Sequence, residues 1–201
     1  MTHQMLAPVY TDTRDKILLG DTPTLMQPRF GELPPPELNK HRFLVGHDGV
    51  YIEVRTEVLE CRLQVSQSDI PLPYGHVKSG FRLVHGAIPT SLYDRVKQRV
   101  EEARPNEWAG LIVWSRSRQK YELFEPPVLD SSPSHISYER HLDDDLLLVV
   151  DIHSHPQEAY FSATDDISEA GIYIAEVYGR QRGELMMVSR FVINGVFVNN
   201  L

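Results

Sequence analysis

The sequence is short of cysteine, of long apolar runs and of basic charge, and each shortage excludes a class of protein. Cys61 is the single cysteine among 201 residues, so neither an internal disulfide nor a cysteine-based metal cluster can form. No apolar stretch reaches the roughly 18 residues that a membrane helix needs. Acidic residues outnumber basic ones by 28 to 20, which argues against a general binder of nucleic acid or of anionic membranes.

The same absences favour a globular protein of a reducing compartment. Cys61 lies in an alternating, strand-like run and is predicted to be a packed side chain rather than a nucleophile. The N-terminus lacks the basic start and the apolar core of a signal peptide. We therefore expect a cytoplasmic protein with no nucleic-acid or membrane partner, and the 41% hydrophobic composition suffices for one good core plus a small appended unit.

The distribution of prolines and of helix and strand patterns along the chain predicts two units, residues 1–75 and residues 76–201. Prolines break residues 1 to about 40, which are predicted to be irregular. The next run predicts a hairpin with Asp48 and Gly49 at its turn, followed by a third strand. The first unit is therefore expected to be small and β-rich.

The second unit mixes helical and strand patterns. The elements predicted along it are a strand at 81–89, a helix at 91–103 capped by Ser91, strands at 108–115 and 120–129, a buried strand at 146–155, a helix at 162–179 ended by Gly179, and a final hairpin turning at Asn194 and Gly195. The order indicates one α+β domain.

The chemistry of this domain is concentrated in residues 151–166, which read DIHSHPQEAYFSATDD. Residues i and i+2 of a strand project to the same face, so His153 and His155 can present two imidazoles to one ion. Ser162 and Asp165 have the spacing of a helix N-cap with an acidic residue in the first turn. Two histidines and one aspartate form a ligand set that zinc accepts, and the fourth position stays open for water.

A hydrolytic zinc site also needs a base that moves a proton from water to the leaving amine. Between the two histidines there is only Ser154, so the base must come from elsewhere. Glu107 is the candidate, because it precedes an apolar strand whose start can face the ion.

Glu107 with Gly110, then HSHP at 153–156, then Ser162-x-x-Asp165, resembles the signature of the JAB/MPN (JAMM) metalloprotease family over residues 80 to 200. The resemblance implies an MPN/JAB-like (cytidine-deaminase-like) mixed sheet with flanking helices. It also implies a zinc isopeptidase with His153, His155 and Asp165 as ligands, Glu107 as general acid and base, and Ser162 as an oxyanion stabiliser.

The N-terminal unit in front of this domain resembles a narrower group, the A proteins of PRTRC cassettes. These mobile-element gene sets also encode ThiF-like and ubiquitin-like proteins. The resemblance implies a protein or peptide substrate with a ubiquitin-like tail.

One departure from the family pattern leaves alternatives open. Six residues, PQEAYF, separate His155 from Ser162, one fewer than in the family. Either the loop is shorter and Asp165 keeps its role, which the Ser-x-x-Asp spacing favours, or the register slips and Asp166 becomes the ligand. The short loop also permits an inactive, MPN-type interaction module. Tyr160 and Phe161 either contact a substrate tail or anchor this loop.

Overall fold

A computed structural model describes residues 12–13 and 22–199, and its first half is a five-stranded sheet. The predicted irregular start lies partly outside the described residues. The strands, in their spatial order, are β1 (Thr24–Met26), β2 (Lys40–Gly46), β3 (Gly49–Arg55), β4 (Leu59–Gln67) and β5 (Gly80–Leu83). β1 pairs with β2 in parallel, and the other pairs are antiparallel.

The hairpin predicted in this sheet is confirmed, with its turn one residue earlier than expected. Gly46 pairs with Gly49, so His47 and Asp48 form the turn. Gly49 has a φ of 150°, and a Cβ on it would overlap the Ser66 carbonyl of β4. Only glycine fits this close approach between strands.

The second half of the chain contains a six-stranded mixed sheet, a separate two-stranded hairpin and two helices. The elements are α1 (Thr90–Ala103), β6 (Ala109–Ser115), β7 (Lys120–Phe124), β8 (Val128–Ser132), β9 (His135–Tyr138), β10 (Leu146–Ser154), α2 (Ala163–Ser168), β11 (Ile172–Gln181), β12 (Glu184–Ile193) and β13 (Val196–Asn199). The sheet order is β13-β12-β11-β10-β6-β7, and β8 pairs with β9 alone. The predicted α+β class is confirmed.

α1 buries Leu92, Val96 and Val100, whose i, i+4 and i+8 spacing in the sequence is that of one helix face. The predicted cap at Ser91 is wrong. The helix begins at Thr90, after Pro89, so Ser91 lies inside the first turn and no side chain caps the end.

The helix predicted over residues 162–179 begins after its predicted cap, Ser162, but its predicted length is wrong because it ends after six residues. α2 stops at Ser168, Gly171 turns the chain with a φ of 108°, and β11 follows. Ile167 is 74% exposed, so this short helix buries no apolar stripe. β11 lies between β10 and β12 and is buried on both faces, so its apolar residues run continuously and imitate a helical period.

The two sheets pack on one shared core. Residues of β3 and β4, such as Ile52 and Cys61, belong to the same apolar cluster as α1, β6 and β10. β5 pairs with β4, so the first sheet extends to Leu83, and the division at residues 75 and 76 stays a prediction. None of the described helices is both long and apolar enough to cross a bilayer.

Candidate metal centre

The carboxyl end of β10 presents two histidines to one cleft. β10 is central in its sheet, antiparallel to β6 and parallel to β11, so its end is fixed from both sides. The ring centroids of His153 and His155 are 5.0 Å apart. This is the side-by-side arrangement that the i, i+2 spacing predicts.

The start of α2 brings a carboxylate to the same place. Ser162 and Asp165 form a capping box, in which Asp165 Oδ2 accepts from the Ser162 backbone N–H at 2.6 Å and from the Ser162 hydroxyl at 2.7 Å. The remaining oxygen, Oδ1, lies 3.4 Å from Nε2 of His153. The cap therefore holds Asp165 by one oxygen and aims the other at the histidines.

The polar atoms at this point fit a zinc ion. Nε2 of His153 and Nδ1 of His155 are buried and have no hydrogen-bond partner among the described residues, which is costly unless a ligand satisfies them. One ring nitrogen of each histidine and one Asp165 oxygen lie within 4.8 Å of one another. A tetrahedral zinc with bonds of about 2.1 Å separates its ligand atoms by about 3.4 Å, so the pair at 3.4 Å already has this spacing.

The histidines are held in the neutral form that binds metals. Burial lowers the pKa of His153 to about 4, although Asp165 opposes the effect. Burial likewise lowers the pKa of His155, opposed by Asp165 and by a hydrogen bond to the Glu158 backbone. Nδ1 of His155, which has no partner among the described residues, is therefore available to an ion.

Asp166 faces the other way. Its Oδ1 lies 2.7 Å from Nη1 of Arg190, and its side chain is half exposed. Among the described residues, the group suited to a metal contains Asp165 and not Asp166.

Arg190 of β12 holds the end of α2 through ion pairs with Asp166 and Glu169. It is buried and donates to Glu169 from Nε at 2.9 Å and from Nη2 at 2.6 Å. Its guanidinium carbon lies 3.9 Å from the ring centroid of Phe161 and 4.1 Å from that of Phe197. Of the two alternatives for Phe161, this contact favours anchoring of the loop over contact with a substrate tail. We use the name Arg190 clamp for the set formed by Arg190, Asp166, Glu169, Phe161 and Phe197.

Glu107 lines the same cleft, just before β6, and is 8% exposed. Burial raises its pKa to about 7, and the negative charge of Asp165 adds to the rise. Its backbone is fixed by the β8–β9 hairpin: the N–H donates to the Ser132 carbonyl at 3.0 Å, and the carbonyl accepts from the Ser131 hydroxyl at 2.8 Å. A carboxyl that titrates near neutrality can both accept and donate a proton.

Ser154, between the two histidines, joins Glu107 to the metal ligands. Trp108 N–H donates to Ser154 Oγ at 2.9 Å, and Ser154 N–H donates to the Trp108 carbonyl at 2.9 Å. The Trp108 ring lies over Gly110, where any Cβ would overlap it. The sequence interpretation missed this role of Ser154, because its partner is 46 residues away.

The short loop PQEAYF lies along β11. His155 N–H donates to the Tyr178 carbonyl at 2.7 Å, and Arg180 N–H donates to the Gln157 carbonyl. A Cβ on Gly179 would overlap the backbone of residues 157–159. Gly179, predicted to end a helix, instead lets the loop approach the strand. Tyr160 is 55% exposed and meets the His155 ring edge-on at 4.7 Å.

A cleft of about 900 Å³ opens over these residues, between the β8–β9 hairpin and the start of α2. Asp151, two residues before His153, is buried in its floor. It accepts from the Tyr138 hydroxyl at 2.6 Å and pairs with Arg140 Nε at 2.8 Å. Burial raises the pKa of Asp151, whereas Arg140 and Tyr138 lower it. The sequence interpretation did not single out this trio.

Comparison with known proteins gives two family matches. Residues 89–192 match prokaryotic homologs of the JAB domain, and residues 12–84 match a domain of unknown function, DUF2016. No curated protein matches the chain. One similar solved structure is the solution structure of protein DSY2949 from Desulfitobacterium hafniense, at 18% identity and a TM-score of 0.42, covering 56% of this chain and 88% of that one. Since the JAB match spans more than half of its residues, the chain belongs to the prokaryotic homologs of the JAB domain.

Proposed function

We propose that the chain is a zinc-dependent metallopeptidase or isopeptidase of JAMM type, acting on a peptide or isopeptide bond of a protein or peptide substrate. The observation that carries the proposal is the position of Glu107. A buried carboxyl with its pKa raised to about 7 lines the same cleft as two unpartnered imidazole nitrogens and one free carboxylate oxygen. A purely structural ion would not require such a base.

In this proposal His153, His155 and Asp165 hold the ion. Bound zinc would acidify water and polarise the amide carbonyl. Glu107 takes the proton from the attacking water, whose oxygen bonds to the carbonyl carbon. Glu107 then delivers that proton to the amine nitrogen as the C–N bond breaks, so it ends the cycle ionised, as it began.

Ser162 is proposed as a donor to the oxygen that becomes negative in the transition state. Its hydroxyl currently donates to Asp165 at 2.7 Å, so it must rotate toward the substrate to act. The Ser162 backbone N–H already donates to the same Asp165 oxygen and keeps the cap closed while the hydroxyl turns. Losing one oxyanion donor costs on the order of a hundredfold in rate.

We further propose that the substrate is an extended tail, such as that of a ubiquitin-like protein, and that the enzyme works in the cytoplasm. The resemblance to the PRTRC A proteins motivates the substrate. The cleft between the β8–β9 hairpin and the loop at Tyr160 is open enough to admit an extended chain. Exposed Tyr160 would contact the tail beside the reacting bond.

Metal content and turnover, measured together, test the proposal. Purified protein is expected to contain one zinc per chain by plasma mass spectrometry and to cleave a ubiquitin-like protein fused through its tail to a peptide. Glu107→Gln should retain the zinc and lose at least about a hundredfold in rate. His153→Ala should lose both the bound zinc and the cleavage activity. Absence of stoichiometric zinc, or full activity of Glu107→Gln, would refute the enzyme.

The second candidate is an inactive interaction module of MPN type, favoured by the six-residue loop. A protein that takes up no zinc even at high concentration, while still binding a tail peptide, would support this module. Restoring the family length tests the loop directly. Inserting one glycine after Gln157 should raise activity if the short loop had weakened the site, and lower it if the packing on Gly179 is already productive.

A further inference from the structure

The outer face of the first sheet carries a groove that the proposed chemistry does not use. Its volume is about 530 Å³. One wall is the segment at residues 33–36, and the other is formed by β5 with residues 78–79. Arg42 donates from Nη2 to the Pro34 carbonyl at 2.6 Å, and Arg55 donates from Nη1 to the Pro36 carbonyl at 3.4 Å, so the proline wall is fixed to the sheet. We call this feature the outer-face groove.

The first row of its floor is a carboxylate between two arginines. Glu53 of β3 lies opposite Arg42 of β2 and Arg62 of β4 in the strand register. Its Oε2 pairs with Arg42 at 2.6 Å, and its Oε1 pairs with Arg62. One carboxylate thus balances two cations, and the row keeps one positive charge.

The second row repeats this pattern nearer the edge. Glu60 of β4 lies opposite Arg55 and Arg82, and its oxygens are 3.6 Å from Arg55 Nε and 2.8 Å from Arg82 Nη2. Lys78 is exposed on the wall and, within the described part of the chain, takes no part in these ion pairs. The groove is therefore cationic in a chain whose net charge is −8.

β5 adds an open strand edge to the groove. It is the last strand of its sheet, and Gly80, Phe81 and Arg82 are exposed. An edge strand offers free N–H and C=O groups to another extended chain. Four residues span about 13 Å, enough to pair with a short segment. Phe81 is 52% exposed and offers an apolar contact at the same edge.

We propose that the outer-face groove and the β5 edge bind an extended acidic segment of a partner protein. The segment pairs its backbone with β5 and directs its carboxylates toward Arg62, Lys78 and Arg82. A polypeptide suits this edge better than a nucleic acid, because only a polypeptide can continue the sheet. The proposal is independent of zinc chemistry.

Fluorescence anisotropy with labelled peptides tests the site on the full chain. The probe is a short peptide in which glutamate alternates with threonine. It is expected to bind, and to release as salt rises from about 0.05 M to about 0.5 M, because the Debye length shrinks. A lysine-threonine peptide should not bind. A peptide in which glutamate alternates with proline carries the same charge but lacks the backbone donor at every second residue, so it should bind several-fold more weakly than the probe.

A matched pair of charge reversals locates the binding. Lys78→Glu should lower the affinity for the probe about fivefold. Lys97→Glu changes the same charge on the exposed face of α1 and should leave the affinity unchanged. Equal affinities of the two variants, or no binding of the probe at all, would overturn the proposal. Tighter binding of single-stranded oligothymidine than of the probe would assign the groove to nucleic acid instead.

Discussion

The Arg190 clamp and the histidine pair, both next to α2, treat their polar atoms in opposite ways. In the clamp, the guanidinium donates to Asp166 and Glu169 and lies against two aromatic rings. In the histidine pair, one ring nitrogen of each residue is buried and has no hydrogen-bond partner in the part of the chain that the structure describes. Satisfied polar networks rigidify a structure, whereas buried unsatisfied groups await a ligand. The comparison teaches that ion pairs hold α2 in place while Asp165 of the same helix directs its Oδ1 toward the histidines.

The largest expected effect separates the neighbouring aspartates of this helix. Asp165→Asn should weaken zinc binding at least about a hundredfold, because a charged ligand is replaced by a neutral amide. Asp166→Asn removes the same charge from the neighbouring residue, which pairs with Arg190, and should keep the zinc affinity within about threefold. Chelator competition measures both variants. Equal losses of zinc affinity in the two variants would mean that neither aspartate is the specific ligand. A larger loss in Asp166→Asn would assign the ligand role to Asp166 instead of Asp165.

Removing the clamp should lower both stability and zinc affinity. Arg190→Met leaves Glu169 buried without its cation and is expected to reduce the free energy of unfolding by about 3 kcal/mol. Because α2 is then held less firmly, zinc affinity should fall about tenfold at a temperature where the variant stays folded.

Arg42→Met is the matched control for the clamp, since Arg42 forms a buried pair with Glu53 in the other sheet. It should also destabilise the chain, as urea denaturation would show. Its zinc affinity should remain that of the unmodified protein. A tenfold loss in both variants would indicate that general destabilisation, not the clamp, governs the metal.

A smaller effect is expected where the loop meets β11. Gly179→Ala introduces a Cβ that overlaps the backbone of residues 157–159, at a cost of about 2 kcal/mol in unfolding free energy. The displaced loop carries Phe161 and Ser162, so zinc affinity should fall too. Gly80→Ala, whose Cβ would meet no atom within 4 Å, is the control. Thermal unfolding of the two metal-free variants would contradict this expectation if their Tm values coincided.

The last effect, which disappears at low pH, concerns Glu107 in metal-free protein. Its pKa rises from 4.5 to about 7 on folding, so the folded chain binds the extra proton between these values and loses stability as pH increases. Glu107→Gln should therefore stabilise the protein by about 3 kcal/mol at pH 8 and by almost nothing at pH 4. Glu158→Gln, at the exposed rim of the same cleft, controls for net charge. A gain that does not depend on pH would exclude this explanation.

The parts of the fold that sequence could predict are those that local signals determine. The turn at Asn194 and Gly195 is confirmed, with φ values of 47° and 90° that suit these two residues. α1 follows from its apolar spacing. β11 was mistaken for a helix because a strand buried on both faces has no alternation, and only its neighbours in the sheet distinguish the two.

The candidate site divides in the same way. The histidine pair and the capping box are contiguous in the sequence, so their local geometry could be anticipated, although their catalytic roles stay a prediction. Ser154 and Arg190 could not be assigned, because their partners lie 46 and 21 residues away. Which of the two aspartates pairs with Arg190 and which faces the histidines could not be predicted either, because no local pattern connects Arg190 to the helix.

The core that the two sheets share has a consequence for how the chain unfolds. Ile52 and Val54 of the first sheet and Val150 and Ile152 of the second belong to one buried cluster. Separating the sheets would expose apolar faces on both, so neither can melt far ahead of the other. The N-terminal unit and the metal-centre domain therefore form one cooperative unit, and calorimetry of the whole chain should record a single transition.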